Sequence, residues 1–79
     1  MNQLILYYQP ECHLCDEAEA VLHAAGLGES YSKVDIENDI ELLKRYGIHV
    51  PVLKRGDTQV ELFWPFDEQS LASFVGKVP

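Results

Sequence analysis

The sequence predicts an α/β domain: a mixed four-stranded sheet flanked by three helices, in the order β-α-β-α-β-β-α. Three observations carry that expectation. A short continuous apolar run, Leu4 to Tyr8, leads into a stretch from Cys12 to Ala25 with apolar residues near a 3.6-residue period. A second strand-then-helix pattern follows, ending at Gly47. The remainder holds two extended segments joined by a turn and then a last helix, which suits a hairpin rather than another crossover.

Taken in order, Leu4-Ile5-Leu6-Tyr7-Tyr8 is apolar throughout, as a strand covered on both faces requires, and Gln9-Pro10 ends it. In the first helix Leu14, Ala18, Val21, Leu22 and Ala25 form the apolar stripe. Asp16, Glu17 and Glu19 lie where the helix dipole favours negative charge, and Gly26 and Gly28 mark the end. Tyr31 to Asp35 is the second strand. Asn38 is the expected N-cap of the second helix, with Glu41 three residues on, Ile40, Leu43 and Tyr46 facing inward, and Lys44 and Arg45 in the last turn. Val50 to Leu53 is the third strand, although a proline there must avoid the hydrogen-bond ladder. Arg55-Gly56-Asp57 turns the chain into a fourth strand, Gln59 to Phe63. Asp67 caps a final helix that turns Leu71, Phe74 and Val75 inward and stops at Gly76. Residues 1–79 are expected to form one domain.

Composition excludes several classes. Thirteen acidic residues against six lysines and arginines give a formal net charge of -7, which disfavours nucleic acid and anionic membranes as partners. With 47% hydrophobic residues the chain can build a core, and no stretch is long enough to span a bilayer. The N-terminus shows no basic segment followed by an apolar core, so the expected location is the cytoplasm. In that compartment two close cysteines are more often catalytic, redox-sensing or metal-binding than structural.

Those two cysteines, Cys12 and Cys15, fall between the first strand and the first helix. Disulfide exchange proceeds through a thiolate, and a helix N-terminus supplies unpaired N–H groups and partial positive charge to stabilise one. Cys12 lies at that terminus, whereas Cys15 lies inside the first turn beside the buried face. The placement predicts asymmetric roles, with Cys12 attacking and Cys15 resolving the mixed disulfide. Glu11, Asp16 and Glu17 oppose a thiolate at Cys12, and no lysine or arginine precedes Lys33. Protonated His13 would favour the thiolate. Cys12 is therefore expected to be less acidic than its counterpart in a strongly oxidising protein.

The strand, the run Gln9-Pro10-Glu11-Cys12-His13-Leu14-Cys15, the helix and the later His49-Val50-Pro51 resemble the glutaredoxin branch of the thioredoxin superfamily. With Asp16-Glu17-Ala18 and Trp64-Pro65-Phe66-Asp67 added, the chain looks like a family of short bacterial glutaredoxin-like proteins. The resemblance implies a thioredoxin-like fold and a thiol–disulfide oxidoreductase acting on protein or small-molecule disulfides. By the same match, Pro51 would be cis, Val50 and Pro51 would contact substrate, and Asp67 would meet the amino group of a bound glutathione. Three positions depart from the glutaredoxin pattern. Gln9 stands where a lysine commonly holds a glutathione carboxylate, His13 and Leu14 replace the usual Pro-Tyr, and Trp64-Pro65 occupies the place of a glycine pair. Glutathione is accordingly left open as a co-substrate, and no resident cofactor is expected.

Among the remaining residues, Glu11, His13 and His49 are candidate modulators of the cysteine pair. A structural zinc site needs four ligands, and no His pair has ligand spacing, so no metal is expected. The expected partners are a disulfide-containing protein or small thiol and an external reductant, the thioredoxin or glutathione system. The protein itself is expected to be a monomer. The alternative reading is a redox-inactive thioredoxin-fold binding module that holds a partner in the Val50-Pro51 groove.

Overall fold

The computed structural model describes residues 4–75. Strands β1 (Leu4–Tyr8), β2 (Tyr31–Asp35), β3 (Val52–Arg55) and β4 (Glu61–Phe63) form one sheet in the order β2-β1-β3-β4. β1 and β2 are parallel, while β1–β3 and β3–β4 are antiparallel. The helices are α1 (His13–Ala24), α2 (Ile40–Tyr46) and α3 (Glu68–Val75). This is the mixed four-stranded, three-helix α/β arrangement that the sequence predicts.

Alternation along β1 divides the core between the two faces of the sheet. Leu4 and Leu6 join Ala18, Leu22, Leu53, Phe66 and Leu71 on the α1 and α3 side, and Phe74 and Val75 pack against that cluster. Tyr7 joins Ile36, Tyr46 and Val52 on the other side, where the Tyr7 and Tyr46 rings stack at 4.5 Å. Leu22 is fully buried, and burial of a leucine contributes about 2 kcal/mol.

Helix α1 is closed at both ends by local chemistry. At its start Cys12 is the N-cap, with extended backbone (φ -107°, ψ 109°). At its end Gly26 adopts φ +81° and the Leu27 N–H donates to the Leu22 carbonyl at 2.9 Å. That six-to-one bond is the Schellman arrangement, for which a glycine at the left-handed position is suited.

Several local expectations are corrected. Asn38 is not the cap of α2: residues Ile36–Asn38 form a short 3-10 turn, and Asp39 caps the helix by accepting from the N–H groups of Glu41 (2.9 Å) and Leu42 (3.3 Å). Ile40 is 69% exposed rather than inward, because the helix begins only there and buries Tyr46 instead. Leu14 is likewise 45% exposed, since the first turn of α1 extends beyond the core. β3 starts at Val52, two residues later than expected, so Pro51 precedes the ladder in which it could not donate. β4 starts at Glu61, after a loop in which Gln59 takes φ +67° and shortens the paired segment. Gly76 lies outside the described residues.

Candidate active site

The chain direction of each strand decides what meets at each end of the sheet. Tyr8 and Asp35 finish β1 and β2 side by side, while β3 begins and β4 finishes at the same end. Four connections therefore share this edge: residues 9–12, 36–39, 47–51 and 64–67. The first holds Cys12, the third Val50 and Pro51, and the fourth leads to Asp67. Remote parts of the sequence are thus brought to one edge because two strands run up to it and the others start or stop there.

Cys12 and Cys15 form a disulfide, with Cα atoms 5.2 Å apart, within the range such a bond requires. The extended backbone of Cys12 makes that approach possible, because two residues both inside a helical turn would sit too far apart. The Sγ of Cys12 accepts a hydrogen bond from the Cys15 N–H at 3.1 Å, so the sulfur itself supplies the helix cap. Cys12 is half-buried, whereas Cys15 is only 2% exposed. One sulfur is within reach of a partner and the other is sheltered behind it.

Around the pair, Glu11 is exposed and holds φ +57°, a left-handed conformation that a non-glycine residue adopts at a cost of about 1 kcal/mol or more. His13 is directed outward, 85% exposed, with Nε2 2.9 Å from Glu17 Oε2 one turn on. The i,i+4 spacing of that pair is legible in the sequence, although Glu17's role as a partner of His13 does not follow from spacing alone. His49 is exposed, and its ring stands perpendicular to that of Phe63 with centroids 5.3 Å apart. Pro51 is buried and Val50 half-buried, and the Val50–Pro51 and Trp64–Pro65 peptide bonds are both cis. The Val50 N–H donates to the Tyr46 carbonyl at 3.0 Å. Asp67 uses Oδ1 to accept from both the N–H and the Oγ of Ser70, each at 2.8 Å, and these hydrogen bonds hold its carboxyl below the usual range.

Behind the cysteines a polar contact joins α1 to β2. Glu19 accepts from the Tyr31 hydroxyl at 2.6 Å and from Lys33 Nζ at 2.9 Å, and Lys33 lies 4.6 Å from the centre of the Tyr8 ring. Burial alone would push Glu19 up, but those two donors outweigh it and hold its carboxyl low. Besides Ile40 and Val60, the exposed large apolar side chains of the described residues are Leu14 between the cysteines, Ile48 (92%) in the third connection, and Phe63 at the end of β4. A cavity of about 530 Å³ lies beside the C-terminal end of α1, bordered by Ala25 and Leu27 beyond that helix and by Glu68, Ala72 and Val75 of α3. Among the described residues, no three His, Cys, Asp or Glu side chains group as a metal site, and no helix is long and apolar enough to cross a membrane.

A mixed sheet of this topology with a cysteine pair at the start of α1 defines a thioredoxin-like fold. The glutaredoxin-like domain family (DUF836) matches residues 3–76, and the chain belongs to that family. Solved structures agree. Target protein XcR50 from X. campestris is 39% identical over 96% of this chain and 99% of its own, with a TM-score of 0.85. Protein Ne2328 from Nitrosomonas europaea shares the fold at 24% identity and a TM-score of 0.80, covering 95% and 92% of the two chains. A mutant thioredoxin from Halobacterium salinarum is 26% identical, with a TM-score of 0.67 over 99% of this chain and 78% of its own. No curated protein matches the chain.

Proposed function

We propose that this protein is a thiol–disulfide oxidoreductase, with Cys12 as the attacking and Cys15 as the resolving residue. The observation that carries this reading is the asymmetric Cys12–Cys15 disulfide at the start of α1, one sulfur capping the helix and the other buried. In the reduced protein the Cys12 thiolate attacks one sulfur of a substrate disulfide, and the departing sulfur leaves as a thiolate. Cys15 then attacks the Cys12 sulfur of the mixed disulfide. Its proton ends on the second departing thiolate, and the Cys12–Cys15 bond forms. Two electrons pass to the substrate, and an external thiol reductant must return them. The cycle uses no metal or organic cofactor. Val50 and Pro51 would border the substrate, with Glu11, His13 and His49 in positions to adjust the charge and access around it.

Trapping tests the role assignment. A Cys15→Ser protein treated with a substrate disulfide should accumulate a mixed disulfide at Cys12, and a Cys12→Ser protein should trap little. Mass spectrometry of the adducts reads this directly; equal trapping by both variants overturns the assignment. Counting free thiols across dithiothreitol redox buffers tests the activity itself. A pair that never cycles leaves only the reading of a binding module built on the Val50-Pro51 groove.

A further inference from the structure

The edge of the sheet that carries the cysteine pair has a one-sided charge. Its four connections, residues 9–12, 36–39, 47–51 and 64–67, contain Glu11, Glu37, Asp39 and Asp67, and no lysine or arginine. The helical turns that start from this edge add Asp16, Glu41 and Glu68, again without a lysine or arginine; the histidines here are His13 in the first turn of α1 and His49 in the third connection. The described lysines and arginines all lie outside these four connections, although Lys33 sits 4.6 Å from the ring of Tyr8 at the end of β1, and Lys44 and Arg45 lie just before residues 47–51. Arg55 pairs with Leu4 at the far end of the sheet and bonds Asp57 and the Phe74 carbonyl, and Lys54 is one residue nearer. Lys33 is held on Glu19, and Arg45, next to Lys44 in the last turn of α2, lies against the Tyr46 ring at 5.9 Å. His13, the basic group closest in sequence to the cysteines, already faces a carboxylate of its own helix.

From this placement, and resting on the activity proposed above, we infer that the substrate is a polypeptide whose disulfide is flanked by lysine or arginine. The carboxylates of the rim raise the local concentration of a cationic segment and repel an anionic one, an effect that salt screens. Small cationic disulfides would share the charge, but exposed Leu14, Ile48 and Phe63 add an apolar component that a side-chain-bearing peptide can use. The same rim opposes anionic tripeptide thiols such as glutathione. The electron balance is unchanged: Cys12 and Cys15 lose two electrons as one peptide disulfide becomes two peptide thiols.

The test compares rates at which the reduced protein cleaves disulfide-linked dimers of two short peptides, with the cysteine flanked by lysines in one and by glutamates in the other. Cystamine, a small cationic disulfide, is the third substrate, and each rate is divided by that for dithiothreitol. At about 20 mM salt the lysine peptide should react about tenfold faster than the glutamate peptide. The ratio should shrink several-fold at about 0.5 M salt, and the lysine peptide should also exceed cystamine. Equal rates for the two peptides, a preference for glutamate, or cystamine matching the lysine peptide would overturn the inference. A Glu11→Gln/Glu37→Gln/Asp39→Asn protein should lose most of the preference, and a ratio that survives those substitutions also counts against it. Failure of the underlying activity shows itself differently, as a reduced protein that cleaves none of the three disulfides.

Discussion

At the scale of single residues, the site depends on side chains that finish helices. Family resemblance marks Asp67 as a contact for a ligand, and in the fold its Oδ1 is engaged by Ser70, so its first duty is to start α3. Its carboxyl is held low by those hydrogen bonds, chiefly the one from the Ser70 N–H. A group whose folded pKa is depressed contributes stability above the ordinary carboxylate range and loses it as pH falls through the lowered folded value. An Asp67→Ala protein should therefore melt below the parent at pH 7, and the gap should close as the two are compared at about pH 4, 3 and 2. Melting followed by circular dichroism decides it; a gap that stays constant into strong acid would assign the loss to something other than the ionised cap.

At the scale of elements, α2 is the weakest on local grounds. It is short, and an isolated helix of that length does not hold in water, so packing and capping must sustain it. Asp39 supplies two of its first bonds, and Tyr46 anchors its end through the stack on Tyr7 and a hydrogen bond to Glu61 on β4. Asp39→Ala should cost about 1 kcal/mol. Asn38→Ala, one residue earlier, should cost little. Urea unfolding of the two variants gives the comparison, and the reverse order would contradict the cap assignment. The adjacent pair also shows where sequence reading stops. Asn and Asp are both good cap residues, and only the 3-10 turn over residues 36–38 decides between them. β1 is legible to the residue because its apolar run stops at Gln9-Pro10, and the bounds of β2 agree as well although Tyr31 to Asp35 alternates only imperfectly. β3 is displaced from its expected start because a proline reads as part of an apolar strand until the ladder is seen to begin after it.

At the scale of the whole molecule, the layout is legible from the order of elements, whereas the cross-links between them are not. Glu19 with Tyr31 and Lys33, and Tyr46 with Glu61, join residues a dozen or more positions apart that no local pattern pairs. Their consequence is alkaline sensitivity. Burial, and then hydrogen bonding to carboxylates, pushes both Tyr31 and Tyr46 well above the usual phenol range. A raised folded pKa means that the stabilisation is complete below the unfolded value, near about 10, and is lost as pH rises toward the folded one. Stability measured with urea should fall steadily from about pH 10 upward. In a Tyr31→Phe/Tyr46→Phe protein that slope should flatten, and an undiminished slope would place the alkaline loss elsewhere.

Cys12 gives the helix cap and the proposed reaction a single atom in common. Its sulfur receives the Cys15 N–H, and α1 begins at the next residue. Whatever free energy the helix lends to a thiolate at that position, the thiolate returns to the helix, because the two stabilisations form one thermodynamic cycle. A substitution that frays the first turn of α1 will therefore make Cys12 less acidic even if it lies far from the sulfur. Conversely, ionising Cys12 will slow amide exchange along that turn. The backbone amides of Cys15 and Asp16 become reporters of the charge on a neighbouring side chain, and the order of a helix becomes a record of thiol ionisation.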